Sequence, residues 1–231
     1  GITNCISKHP RNTLKNNSVE KKLTVTKKNQ VNVTTKTSSQ YRFNELEKLV
    51  NNLDCNLKDI ATNTVLYDGE KNSKIMLIGD TPGTEEDRVG KPFIGQAGQL
   101  LDKMFSFIGL DRKKDFYVTN LIFWRPPGNR IANEEEIKTC LPITKIHIKI
   151  IKPKMLILLG NIATKALINT QEGVTKLRGK ELTYLDKELD LKIPARAIFH
   201  PNYLLRNPIE KKKVWKDLIQ IHKYINEIKI G

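Results

Sequence analysis

Asp80, Asn120 and His200 each stand immediately after a short apolar run, and their types suit chemistry on a bound polar molecule. A carboxylate can orient a water or steady a developing positive charge, and an imidazole can hydrogen-bond to a developing anion. A carboxamide offers one donor and one acceptor side by side. Asp80 opens the stretch Gly79-Asp80-Thr81-Pro82-Gly83-Thr84-Glu85-Glu86-Asp87, which gathers four carboxylates, and the aromatic Phe93 follows in Gly90-Lys91-Pro92-Phe93-Ile94-Gly95. These glycines lack the spacing of a dinucleotide loop, and no Gly-Lys-Ser/Thr follows for a phosphate-binding loop. Each residue also has a commonplace explanation: a solvated acidic loop, a turn-forming Asn, a structural His before Pro. Their shared position decides between the two, because a parallel sheet would bring all three to one edge, where ligands of open α/β sheets bind.

The elements that must position them follow from the hydrophobic pattern. Residues 75–78, 116–120, 155–159 and 195–199 read as strands, the first and third as unbroken apolar runs typical of burial on both faces. Residues 41–53, 99–108, 134–151, 162–168 and 208–225 read as helices, and Asp68-Gly69 as a turn. This alternation predicts a three-layer α/β/α fold around a four-stranded parallel sheet, in one domain over residues 40–231. Residues 1–39, rich in Lys, Asn, Thr and Ser, are expected to form a mobile basic tail.

Across 231 residues, 40 Lys and Arg against 25 Asp and Glu give a net charge of +15. Such an excess favours a polyanionic partner, nucleic acid before an acidic membrane surface. Cys5, Cys55 and Cys140 lie far apart, which suits a reducing compartment rather than a disulfide framework. No apolar run approaches the roughly 18 residues of a membrane span, and no secretory core opens the chain. A soluble, cytoplasmic, monomeric protein is expected.

Gly79-Asp-Thr-Pro-Gly-Thr-Glu-Glu-Asp-Arg88 and Gly90-Lys-Pro-Phe-Ile-Gly-Gln-Ala-Gly-Gln-Leu-Leu101 resemble the first motif block of the family 4 uracil-DNA glycosylases. Trp124-Arg-Pro-Pro-Gly-Asn-Arg130, Thr175-Lys-Leu-Arg-Gly179 and His200-Pro-Asn-Tyr-Leu-Leu-Arg206 resemble further segments of that family, in order and at fitting intervals. The resemblance implies base excision of uracil from single- or double-stranded DNA. Phe93 would stack on a flipped uracil, Asn120 would read its edge, and His200 would face uracil O2. Asp80 or Glu86 would orient a water, or Glu86 would crowd the C5 side. Lys176 and Arg178 would contact phosphates, and Leu204, Leu205 and Arg206 would enter the DNA, the leucines as an exposed wedge.

Two departures stand out. Family members carry four cysteines on a 4Fe–4S cluster; Cys55 and Cys140 match two of them, while Asn52 and Trp124 occupy the other two positions. Two thiolates are too few, so no cluster and no other cofactor is expected. Asp80 stands where the family has Glu, one methylene shorter. The rival readings are a relative that binds abasic DNA covalently, or a non-catalytic binding module. Residues 128–136 contain no His to serve as the nucleophile of the first, and mere phosphate binding needs none of Asp80, Asn120 and His200.

Overall fold

The computed structural model describes residues 43–228, so the tail expected over residues 1–39 lies outside the described residues. Six strands form one sheet in the order β1-β3-β2-β4-β6-β5. They are β1 (Tyr67–Gly69), β2 (Ile75–Gly79), β3 (Phe116–Asn120), β4 (Met155–Leu159), β5 (Leu182–Asp186) and β6 (Leu191–Ile198). The four central strands are parallel, with β2 between β3 and β4 and β4 beside β6. Both edge strands run antiparallel, β1 against β3 and β5 against β6.

The expected four-stranded parallel sheet is therefore the centre of a larger mixed sheet. Asp68-Gly69, expected as a turn, belongs to β1, three half-buried residues with no apolar run to reveal them. In β5 only Tyr184 and Asp186 are buried, the alternation of an edge strand with one wet face. Pro194 made β6 look shorter than it is. It lies before the segment that pairs with β4, Ala195 to Ile198, so its missing N–H costs no hydrogen bond to that neighbour.

Among the described residues the α-helices are α1 (Phe43–Asn51), α2 (Thr84–Val89), α3 (Gln96–Ser106), α4 (Glu134–Ile151), α5 (Asn161–Ile168), α6 (Val174–Leu177), α7 (Pro201–Arg206) and α8 (Lys211–Glu227). They flank both faces of the sheet. Ile75, Leu77, Phe116 and Val118 point to one face and pack with Leu101 and Phe105 of α3 and Leu218 of α8. Met76, Ile78, Tyr117 and Leu156 point to the other and pack with Ile148 of α4 and Ala163 of α5. This double burial explains why the strands read as continuous apolar runs. Helix α4 starts where its sequence says it should: Asn133 Oδ1 accepts the Glu136 N–H at 2.8 Å and Glu136 Oε2 accepts the Asn133 N–H at 2.8 Å.

Candidate active site

The carboxyl ends of β2, β3 and β6 meet at one edge of the sheet, where a cavity of about 390 Å³ opens. Its wall includes Thr81, Gly83, Glu86, Phe93, Asn120 and His200. Asn120 is 1% exposed, yet its Oδ1 has no hydrogen-bond partner. His200 caps α7 through Nδ1, which accepts the Asn202 N–H at 3.1 Å. Its Nε2 is buried and also without a partner. Burial, followed by the nearby charge of Arg206, lowers the His200 pKa to about 4, so the ring is neutral near pH 7. A neutral ring that accepts at Nδ1 carries its proton at Nε2. The cavity thus presents one free acceptor and one free donor, both desolvated. Buried polar atoms are nearly always paired in folded proteins, so two orphans in one cavity mark a place for a ligand.

Phe93 completes the wall, its ring centroid 5.6 Å from that of His200. Its φ of 53° is left-handed, a conformation a bulky residue holds only under constraint. Arg112, which the sequence reading missed, supplies it. Its Nη2 donates to Phe93 O at 2.8 Å and its Nη1 to Pro92 O at 3.1 Å, while Asp102 and Asp68 pair with the guanidinium. No linear signal joins Arg112 to a loop 19 residues earlier. Gly79 is required by crowding: a Cβ there would stand 2.4 Å from Phe93 Cζ and 2.5 Å from Asn120 Oδ1.

The two carboxylates that sequence left as alternatives part company. Glu86 lies on the cavity wall, where Oε1 accepts the N–H groups of Ile94 and Gly95 at 3.0 and 2.9 Å and Oε2 that of Gly83 at 3.1 Å. It ties the loop after β2 to the loop that carries Phe93. Asp80 is not on the wall. Its Oδ1 accepts the Ala163 N–H at 2.8 Å in the first turn of α5, and a Cβ at Gly160 would approach its Oδ2 to 2.5 Å. Burial outweighs its backbone hydrogen bonds and raises its pKa to about 7. Asp87 serves structure, accepting the N–H groups of Thr62 and Asn63.

A folded pKa above the unfolded value means that the stability linked to Asp80 is full at low pH and is lost as pH rises toward 7. Asp80→Asn removes that loss. Its urea midpoint relative to the unsubstituted chain should therefore climb as pH is raised from about 5 to 8. A difference that stays constant over this range would show that Asp80 does not titrate there.

Similarity to known proteins adds to this geometry. Residues 66–219 match the model of the uracil DNA glycosylase superfamily. The chain is 36% identical over 179 residues to the type-4 uracil-DNA glycosylase of Pyrobaculum aerophilum, covering 75% of this chain and 90% of the relative. It is 34% identical over 197 residues to that of Sulfurisphaera tokodaii, covering 80% and 88%, and 36% identical over 154 residues to that of Thermotoga maritima, covering 66% and 77%. The chain belongs to the uracil-DNA glycosylase superfamily.

Within this superfamily frame, the residues expected to touch DNA separate. Lys176 and Arg206 are exposed, and Arg206 lines the cavity. Arg178 turns inward instead, bonding to both carboxylate oxygens of Asp217 at 3.0 and 2.8 Å and to Lys213 O at 2.6 Å. The expected pair of exposed leucines is also corrected: Leu204 is 0% exposed in the core under α3 and α8, while Leu205 is 37% exposed on the cavity rim. Six-residue α7 explains the split, since neighbouring residues of a helix point in directions about 100° apart.

The uracil-DNA glycosylase resemblance implied a four-thiolate cluster, and the residues present do not fit one. Cys55 and Cys140 share one apolar cluster with Trp124, which is 1% exposed and whose Nε1–H donates to Thr64 Oγ1 at 3.1 Å. An indole so placed is filling, not a ligand, and Asn52 is an exposed amide at the end of α1. The Cys140 side chain holds the Cys55 thiol down to about 7, while the same contact and burial push Cys140 up. Among the described residues, no group of three or more His, Cys, Asp or Glu could hold a metal ion.

Proposed function

We propose that the chain is a monofunctional uracil-DNA glycosylase, which hydrolyses the N-glycosidic bond of a uridine flipped out of DNA. The observation that carries this reading is the pair of unpartnered buried atoms, Asn120 Oδ1 and His200 Nε2, beside the Phe93 ring. Uracil offers an N3–H donor to an amide oxygen and carbonyl acceptors to an imidazole N–H. Cytosine offers an acceptor at N3, which would leave two acceptors facing each other. Such a mismatch in a dry site is among the stronger forms of discrimination.

Extruding the nucleotide costs a few kcal/mol, and its ring would be held against Phe93. As the bond to the sugar breaks, charge grows on the uracil carbonyl, and the fixed His200 N–H meets it without reorganisation. Glu86, on the wall, is the carboxylate suited to orient the attacking water and to balance positive charge on the sugar. Asp80 acts at one remove, by anchoring the loop after β2 to α5. Incubation with a uracil-containing duplex, followed by alkali, should break the strand at the uracil. An oligonucleotide that is retarded in a gel yet survives alkali intact would leave only a binding protein.

In this reading residues 40–231 are the catalytic domain, and the Lys-rich residues 1–39 add attraction to DNA. The protein acts as a cytoplasmic monomer; among the described residues no helix is long and apolar enough to cross a membrane. Leu205 would fill the space the base vacates, so Leu205→Ala should slow excision in duplex DNA by roughly tenfold while sparing single strands, where little stacking is broken. Equal losses on both substrates would remove the wedge. Excision should need no cofactor: a purified sample should be colourless and should keep its rate in chelator. Stoichiometric iron and sulfide would show that Asn52 and Trp124 do not stand at ligand positions.

A further inference from the structure

Away from the cavity the surface carries an apolar patch that no part of the proposed reaction uses. Phe107, just beyond the C-terminal end of α3, is 73% exposed, and Trp215 and Ile219 of α8 are 44% and 46% exposed. The two rings meet edge to face, 5.6 Å apart at 86°. Ile219 follows Trp215 by one helical turn, so the three residues form a contiguous stripe rather than scattered surface.

The stripe is set in positive charge. At roughly 100° per residue, Lys212, Lys216 and Lys223 fall beside Trp215 and Ile219 on the same side of α8. All three are exposed, and Lys103 stands one turn before Phe107 on α3. The carboxylate within this part of α8, Asp217, is buried and bound to Arg178. On this side of α8 the exposed acid is Glu227, one turn beyond Lys223, so no acid of the helix lies beside Lys212 and Lys216.

We infer that this patch docks an acidic protein segment carrying two apolar side chains at helical spacing. The apolar anchors would cover Phe107, Trp215 and Ile219, and carboxylates on either side would meet the lysines, as in helix-in-groove recognition. Nucleic acid fits less well. A T-shaped ring pair followed by a branched aliphatic is not a series of parallel faces on which bases can stack. The patch also lies well off the cavity, since α3 starts on its wall at Gln96 and extends for 11 residues, about 16 Å, before Phe107. This inference does not depend on the chemistry assigned to the cavity.

Panning a random 12-residue display library on the full chain, then synthesising the selected peptides, tests it. The selected sequences should be acidic with two large apolar residues three or four apart, and they should shift the emission of Trp215. A Phe107→Ser/Trp215→Ser variant should keep its fold and its uracil excision while binding these peptides at least about tenfold more weakly, measured by calorimetry. Reversing charge with Lys212→Glu/Lys216→Glu should weaken them comparably. Selection of neutral or basic sequences, or of none, would overturn the proposal. So would binding of a dT16 oligonucleotide, or concentration-dependent self-association in sedimentation, that the Phe107/Trp215 variant loses, since either would assign the patch to another occupant.

Discussion

Replacing His200 by alanine is expected to lower single-turnover excision of uracil by roughly a hundredfold or more, with duplex binding nearly unchanged. A hundredfold is about 2.7 kcal/mol of transition-state stabilisation, an ordinary value for one preorganised donor in a dry site. The imidazole is placed for it: Nδ1 is committed to the Asn202 N–H, so the ring is fixed with its N–H at Nε2. It also begins neutral, because burial holds its pKa near 4. Titration of His200 should therefore leave no inflection between about pH 6 and 8. The effect appears as charge develops and not in ground-state binding, which separates chemistry from capture. A His200→Ala protein that cleaves at the original rate would take the anion-stabilising role away from this residue.

Asn120→Asp should cost at least about tenfold in uracil excision, the scale of 1.4 kcal/mol, and should do so in a folded protein. The substitution keeps an acceptor where Oδ1 stands but turns the amide donor into a second acceptor, which would face a uracil carbonyl. It also places a carboxylate at a site 1% exposed, beside the Phe93 ring and with no cation bonded to Asn120 to offset it. Unchanged kinetics would remove Asn120 from the site. Asn120→Ala provides the comparison that separates lost recognition from added charge, since alanine leaves the uracil edge unpaired without introducing an anion.

Much of this architecture was legible because burial writes itself into apolar runs. The central strands of residues 75–79, 116–120 and 155–159 are buried at every position, and nothing but a doubly covered sheet asks for that pattern. The edge strands were not legible, since half-buried Tyr67–Gly69 and the alternating Leu182–Asp186 bury too little to stand out. Position at or just beyond a strand end brought Asp80, Asn120 and His200 to one edge of the sheet but could not say which way a side chain turns. Asp80 serves α5, Glu86 reaches the wall through three backbone donors, and Leu204 and Leu205 part by one step of a helix. Arg178 has the charge to meet a phosphate, and its guanidinium is bonded to Asp217, a partner 39 residues away that charge alone does not reveal. Charge and spacing announce that a group is available, whereas packing decides where it is spent.

If Asn120 Oδ1 and His200 Nε2 read the base in the cavity, side-by-side base release must separate uracil from cytosine. Otherwise identical oligonucleotides carrying uracil or cytosine at one position would be incubated with excess protein, and the free base quantified. Release of uracil is expected with cytosine slower by about a thousandfold or more, as a buried donor–acceptor mismatch dictates. Comparable release of the two bases, or firm binding of the uracil strand with no base released, would contradict the account.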